Sequence, residues 1–221
     1  MSAVSEFFGS SMGKKVVMAV TGIILFGFVV AHMVGNLQVY LGREVMNQYA
    51  VFLREVGHGA GLWVARLGLL AAAGLHIWAA TSLTLINRSA RPVGYREKQS
   101  LEATYAARTM RWSGVILLLF VAYHLAHFTF GNAHPDFRHG DVYHNFIVGF
   151  RQPLASAFYV AAMLCLGLHM YHGVWSMLQT LGLSHPRYNH IRHAFATFIS
   201  AVVVVGNVSF PVAVLTGFLR E

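Results

Sequence analysis

Residues 16–41 read VVMAVTGIILFGFVVAHMVGNLQVYL, an apolar run without one Asp, Glu, Lys or Arg, preceded by Lys14-Lys15 and followed by Gly42-Arg43. An α-helix needs about 20 such residues to cross a hydrocarbon core about 30 Å thick. The run is too long for the apolar region of a cleavable signal peptide and lacks a convincing cleavage site, so the start is expected to be retained. Four more stretches of the same kind follow, at about residues 62–86, 112–131, 153–181 and 194–217. The composition agrees: 56% of the 221 residues are hydrophobic and 11% charged, against roughly 25% charged in soluble domains. The expected fold is a single all-α integral membrane domain with five transmembrane helices. The residues before the first span are expected to form a short amphipathic or disordered lead, with Phe7 and Phe8 at the interface.

The net charge of +8 would suggest nucleic acid on a soluble protein, but here the cations lie between apolar runs and report orientation instead. No nucleic-acid partner is expected. Lys14, Lys15, Arg88, Arg91, Arg96, Lys98, Arg108, Arg111, Arg187 and Arg192 fall on one side, and Arg43, Arg54, Arg138, Arg151 and Arg220 on the other. That bias places the N-terminus in the cytoplasm and the C-terminus outside. A single cysteine, Cys165, excludes an internal disulfide, a four-cysteine iron-sulfur site and a covalent C-x-x-C-H haem attachment.

Thirteen histidines are present. His58, His134, His139, His144, His185, His190 and His193 fall in expected loops or near span ends, where most are expected to be solvated or interfacial. His32, His76, His124, His127, His169 and His172 lie within spans, where an ionisable group is costly and marks a functional site by default. The first four spans each carry at least one; the fifth carries none inside. One deep histidine on each of four helices is what two bis-imidazole haems b in a helix bundle require. A haem-free role, as interhelical hydrogen-bonding groups, is the alternative. Zinc or copper is less favoured because no carboxylate or thiolate accompanies the histidines.

His32 lies late in an outward-running span and His76 late in an inward-running one, so the two belong near opposite faces. His127 and His172 each follow another histidine by three residues and are either axial alternatives or haem-propionate partners one turn along. Gly22, Gly27, Gly35, Gly68, Gly74, Gly114, Gly167 and Gly173 either make room for a macrocycle or serve close helix contacts.

Several segments together resemble the cytochrome b subunit of succinate dehydrogenases and fumarate reductases, in its dihaem, five-helix type. They are Ala31-His32-Met33-Val34-Gly35-Asn36-Leu37, Leu75-His76, Arg111-Trp112-Ser113-Gly114 ahead of His124, Leu168-His169-Met170-Tyr171-His172-Gly173-Val174-Trp175-Ser176, and Gln179-Thr180-Leu181-Gly182. The resemblance covers nearly the whole chain. It implies a haem-binding four-helix core plus a fifth helix, in a bacterial cytoplasmic membrane. His76 and His169 would ligate the haem on the cytoplasmic side, and His32 and His124 the outer haem.

The partners it implies are an iron-sulfur subunit and a flavoprotein subunit; the FAD and iron-sulfur clusters belong to those chains, and this one holds no succinate site. Electrons would pass through the two haems to a quinone, usually menaquinone. Arg66, Arg108 and Arg111 are candidates to hold haem propionates, or else snorkel at span ends. Glu55 is the candidate for proton exchange with a quinone near the outer haem. Some fumarate reductases of the family carry a glutamate two residues before the ligand in span four; Gly167 stands there, which tilts the reading toward succinate oxidation. A cytochrome b subunit of a formate dehydrogenase or hydrogenase, and a haem-free anchor or transporter, are the competing readings.

Overall fold

The structure, a computed structural model, describes residues 3–90 and 105–221. Arg91, Arg96 and Lys98, and most of the charged segment between the second and third spans, lie outside the described residues. Among those described, every regular element is helical: α1 (Ala3–Gly9), α2 (Ser11–Asn36), α3 (Arg43–Glu55), α4 (Ala60–Ser89), α5 (Tyr105–His124), α6 (Val142–Phe150), α7 (Pro153–Thr180) and α8 (Asn189–Leu215). Helices α2, α4, α5, α7 and α8 are long and apolar enough to cross a membrane. This is an all-α membrane protein, and its surface fits that solvent: Ile23, Phe28, Leu67, Leu70, Leu119 and Phe198 all face outward.

The lead is helical rather than disordered. It breaks at Ser10, whose hydroxyl accepts from the Gly13 amide at 2.9 Å and so caps α2; Phe7 and Phe8 are exposed. Helix α5 begins at Tyr105 rather than near residue 112, because hydropathy marks only the hydrocarbon-crossing part while helical bonding continues into a charged flank. Its far end widens into a π-turn over Leu125–Thr129, in which the Phe130 amide reaches back to the Leu125 carbonyl at 2.8 Å.

Two expected loops are helices. Amphipathic α3 buries Met46 and exposes Glu44, Gln48 and Glu55. Helix α6 has nine residues, too few to span, and tucks nearly its whole length into the end of the bundle. Its Phe146, Ile147 and Phe150 join Val39, Phe120, Tyr159, Met163 and Phe210 in the main apolar core. A second, smaller cluster of Met33, Met170 and Val203 ties α2, α7 and α8 together mid-bundle.

Helix α2 lies against α4 and α7, α5 against α7, and α8 chiefly against α7. The pairs α2/α5 and α4/α7 touch far less. That leaves lateral room between the helices that face each other diagonally.

Candidate functional site

Across those diagonals the span histidines meet; His32 is exposed on the side of the bundle, and His76, His124 and His169 are half-buried. The His32 ring of α2 lies 5.8 Å from that of His124 on α5, and His76 of α4 lies 6.5 Å from His169 of α7, centre to centre. A metal bound by two opposed imidazoles, at about 2 Å per bond and about 1 Å more from nitrogen to ring centre, separates the rings by about 6 Å. Both pairs have that spacing. Among the described residues no group of three or more His, Cys, Asp or Glu gathers as a metal site, so each candidate site offers two imidazoles rather than the three or four protein ligands usual for zinc.

The second nitrogen of three of these rings is held by a hydroxyl. Thr21 Oγ1 donates to the Val17 carbonyl at 2.7 Å and lies 3.1 Å from His76 Nδ1. Ser113 Oγ donates to the Met110 carbonyl at 3.0 Å and lies 3.1 Å from His169 Nδ1. Each hydroxyl spends its only proton on its own helix. Its oxygen is therefore left to accept from the imidazole Nδ1–H, which puts the free lone pair on Nε2. Fixing the tautomer in this way is how neighbouring groups prepare a histidine to bind a metal.

At the other pair the tyrosine hydroxyl of α7, Tyr159, lies 3.2 Å from His124 Nδ1 and 3.1 Å from His127 Nδ1. It can accept from the first and donate to the second. Phe28 stacks on His32 at 5.2 Å, one turn back along α2.

The two sites repeat one design. Thr21 stands eleven residues before His32 on α2, and Ser113 eleven before His124 on α5. Both helices thus support a partner's histidine at one level and present their own eleven residues on. At 1.5 Å per residue the levels are about 16 Å apart.

The glycines divide by environment. A Cβ on Gly22 or Gly114 would meet Cε1 of His76 at 3.8 Å or of His169 at 3.9 Å, so these two border the imidazoles. Gly35 serves close contact, since a Cβ there would come within 2.8 Å of the Tyr49 hydroxyl. Gly167 backs onto Val204 in the same way, since a Cβ there would come within 2.5 Å of a Val204 methyl.

Of the remaining expected site residues, Glu55, Arg66, Arg108 and Arg111 are exposed and sit apart from the histidine pairs. Glu55 ends α3, and Arg108 and Arg111 lie in the first turns of α5. Arg66 stacks over the outward-facing Trp63 ring at 5.2 Å, the posture of a snorkelling cation. His127 is 1% exposed, stacked on Tyr123, with Nε2 buried and unpartnered. His172 is half-buried with Nδ1 unpartnered. His144, one of the loop and span-end histidines expected mostly to be solvated or interfacial, is 1% exposed: Nδ1 bonds the Glu221 carboxylate and Nε2 lies 3.0 Å from that of Asp136. Its position in the overlooked α6 is the reason.

Sequence singled out neither Thr21 nor Tyr159, and named Ser113 only within the Arg111–Gly114 segment and Arg192 only as a cation outside the spans. The matching spacing of Thr21 to His32 and Ser113 to His124 was the signal available for Thr21 and Ser113. Comparison of the chain with protein-family models, with curated proteins and with solved structures gave no match.

Proposed function

We propose that this chain is a dihaem cytochrome b, the membrane anchor and electron carrier of a succinate:quinone oxidoreductase in a bacterial cytoplasmic membrane. What carries the reading is the pair of imidazole pairs, 5.8 and 6.5 Å between ring centres, with a hydroxyl at Nδ1 of three of the four rings, His76, His169 and His124. When bound, haem b supplies the one-electron chemistry, which the protein tunes through ligation, burial and hydrogen bonding.

The chain's own residues hold and orient. His76 and His169 clasp the cytoplasmic-side group, with Thr21 and Ser113 fixing their tautomers; His32 and His124 clasp the outer one, with Tyr159 as support. The vertical step of about 16 Å would carry electrons from an iron-sulfur subunit docked on the cytoplasmic face toward a quinone, menaquinone by resemblance. A flavoprotein subunit would complete the complex. Gly167 stands where some fumarate reductases carry a span-four glutamate, which favours succinate oxidation over fumarate reduction.

The test is a reduced-minus-oxidised spectrum of the purified complex, with haem-to-protein stoichiometry and identification of the co-purifying subunits. Two haems b per chain and an iron-sulfur and a flavoprotein partner are expected. A colourless protein overturns the haem reading; two haems with a molybdenum or nickel enzyme as partner would point to a formate dehydrogenase or hydrogenase instead.

A further inference from the structure

The fifth long helix brings no histidine to the bundle, but it brings a charge. Arg192, in the first turn of α8, is 8% exposed, and its Nε and Nη1 are buried without a hydrogen-bond partner. Its Cζ lies 5.6 Å from the centre of the Trp175 ring on α7. Trp175 Nε1 is also buried and unpartnered, as is Nδ1 of His172, whose ring lies 5.1 Å from that of Trp175. Three neighbouring side chains thus carry unsatisfied polar atoms.

No carboxylate of the described residues comes within ion-pair reach of Arg192. The ion pairs found, Arg43, Arg138, Arg151 and His144 with Asp136, Asp141 and Glu221, are all at the opposite end of the bundle. A buried guanidinium without a counter-charge is strongly unfavourable, and the ring contact offsets only part of that cost. Tyr188, which precedes α8, makes no side-chain cap, so the positive end of the helix dipole adds to the same potential.

We propose that Arg192, Trp175 and His172 form a binding site for an oxyanion, the carboxylate or phosphate end of a ligand embedded among the helices. Two sources share that chemistry. One is a propionate of a haem held by His169, one turn from His172; this arm rests on the haem reading. The other is the phosphodiester of an anionic lipid, whose chain would follow the apolar α7–α8 groove of about 570 Å³ that ends at Tyr171 and Thr197. Tyr171 touches His193, the neighbour of Arg192, at 6.4 Å between rings.

The experiment uses the full chain with R192Q and W175F, each checked for helical content and monodispersity. Haem-to-protein ratio is measured alongside retention, by native mass spectrometry, of phosphatidylglycerol over phosphatidylcholine from vesicles of equal parts of the two. R192Q removes a charge-assisted contact and is expected to weaken one of the two quantities about tenfold or more, W175F about fivefold. Loss of haem with unchanged lipid preference identifies the carboxylate; loss of lipid preference with haem retained identifies the phosphate. If both quantities match wild type in R192Q, the proposal is overturned; should R192Q fail to fold, the same result in W175F overturns it. A colourless wild-type protein removes the haem reading, and the lipid arm alone then decides.

Discussion

Ser113 Oγ and His169 Nδ1 lie 3.1 Å apart across the α5–α7 contact, and because Ser113 gives its proton to Met110, the imidazole must be the donor. Removing that acceptor leaves a buried N–H unpaired and frees the ring to turn. S113A is expected to keep its helices and to loosen one haem by about 10- to 100-fold, the usual cost of losing a ligand's supporting partner. Haem transfer to apomyoglobin measures it, and T21V should do the same through His76. Equal transfer rates in both variants and wild type would remove the tautomer argument.

Replacing a ligand should act more sharply. On the proposed dihaem reading, H76A or H169A should lower the haem content from two per chain to one, because the two levels are about 16 Å apart and built from different residues. H32A or H124A should remove the other haem. Pyridine-haemochrome stoichiometry reads the outcome directly, and retention of both haems in H169A would refute the assignment.

Tyr159 serves two histidines at once, 3.2 Å from His124 and 3.1 Å from His127. Y159F keeps the ring that fills the core between Phe120 and Phe150 and deletes only the hydroxyl. The expected result is a weakened haem at the His32/His124 level, by about 10-fold or more, with the His76/His169 level unchanged. A redox titration that resolves the two centres should show one shifted potential; two shifted potentials, or none, would contradict separate sites.

The loop end of the bundle should respond to acid. Burial disfavours the charged form of Asp141, but hydrogen bonds from Arg43, Asn47 and the His144 amide outweigh it and hold its carboxyl at about 2, below the ordinary 3.8. The folded-state value lies below the unfolded one, so this stabilisation is complete above the unfolded pKa and is lost as pH falls from about 4 toward 2. Asp141 also caps α6 through the His144 amide at 3.1 Å. D141N keeps a capping oxygen and should cost about 1 kcal/mol, given that Arg43 is exposed; D141A should cost about 2 kcal/mol. Thermal unfolding in detergent at pH 7 and pH 3 checks both, since the gap between wild type and D141N should narrow at the lower pH.

Much of the architecture was legible from hydropathy. The expected spans at 62–86 and 153–181 fall within a few residues of α4 and α7, because a bilayer demands an apolar run and nothing else in the chain imitates one. Helices α3 and α6 were not legible. An amphipathic helix of mixed polarity and a nine-residue apolar one both fall below any length signal; α3 packs on α6 and α4 through one face, and α6 on α7 and α8.

The sequence by itself determined that five helices are long and apolar enough to cross a membrane and that four of them carry a histidine within the span, since both facts are read from local runs. Tertiary structure alone decided that those rings meet across the diagonals at about 6 Å, that Thr21, Ser113 and Tyr159 aim them, and that Arg192 is shut in beside Trp175. These depend on the rotation of each helix about its axis and on the residues facing it from elsewhere in the chain. Hydropathy carries no record of either.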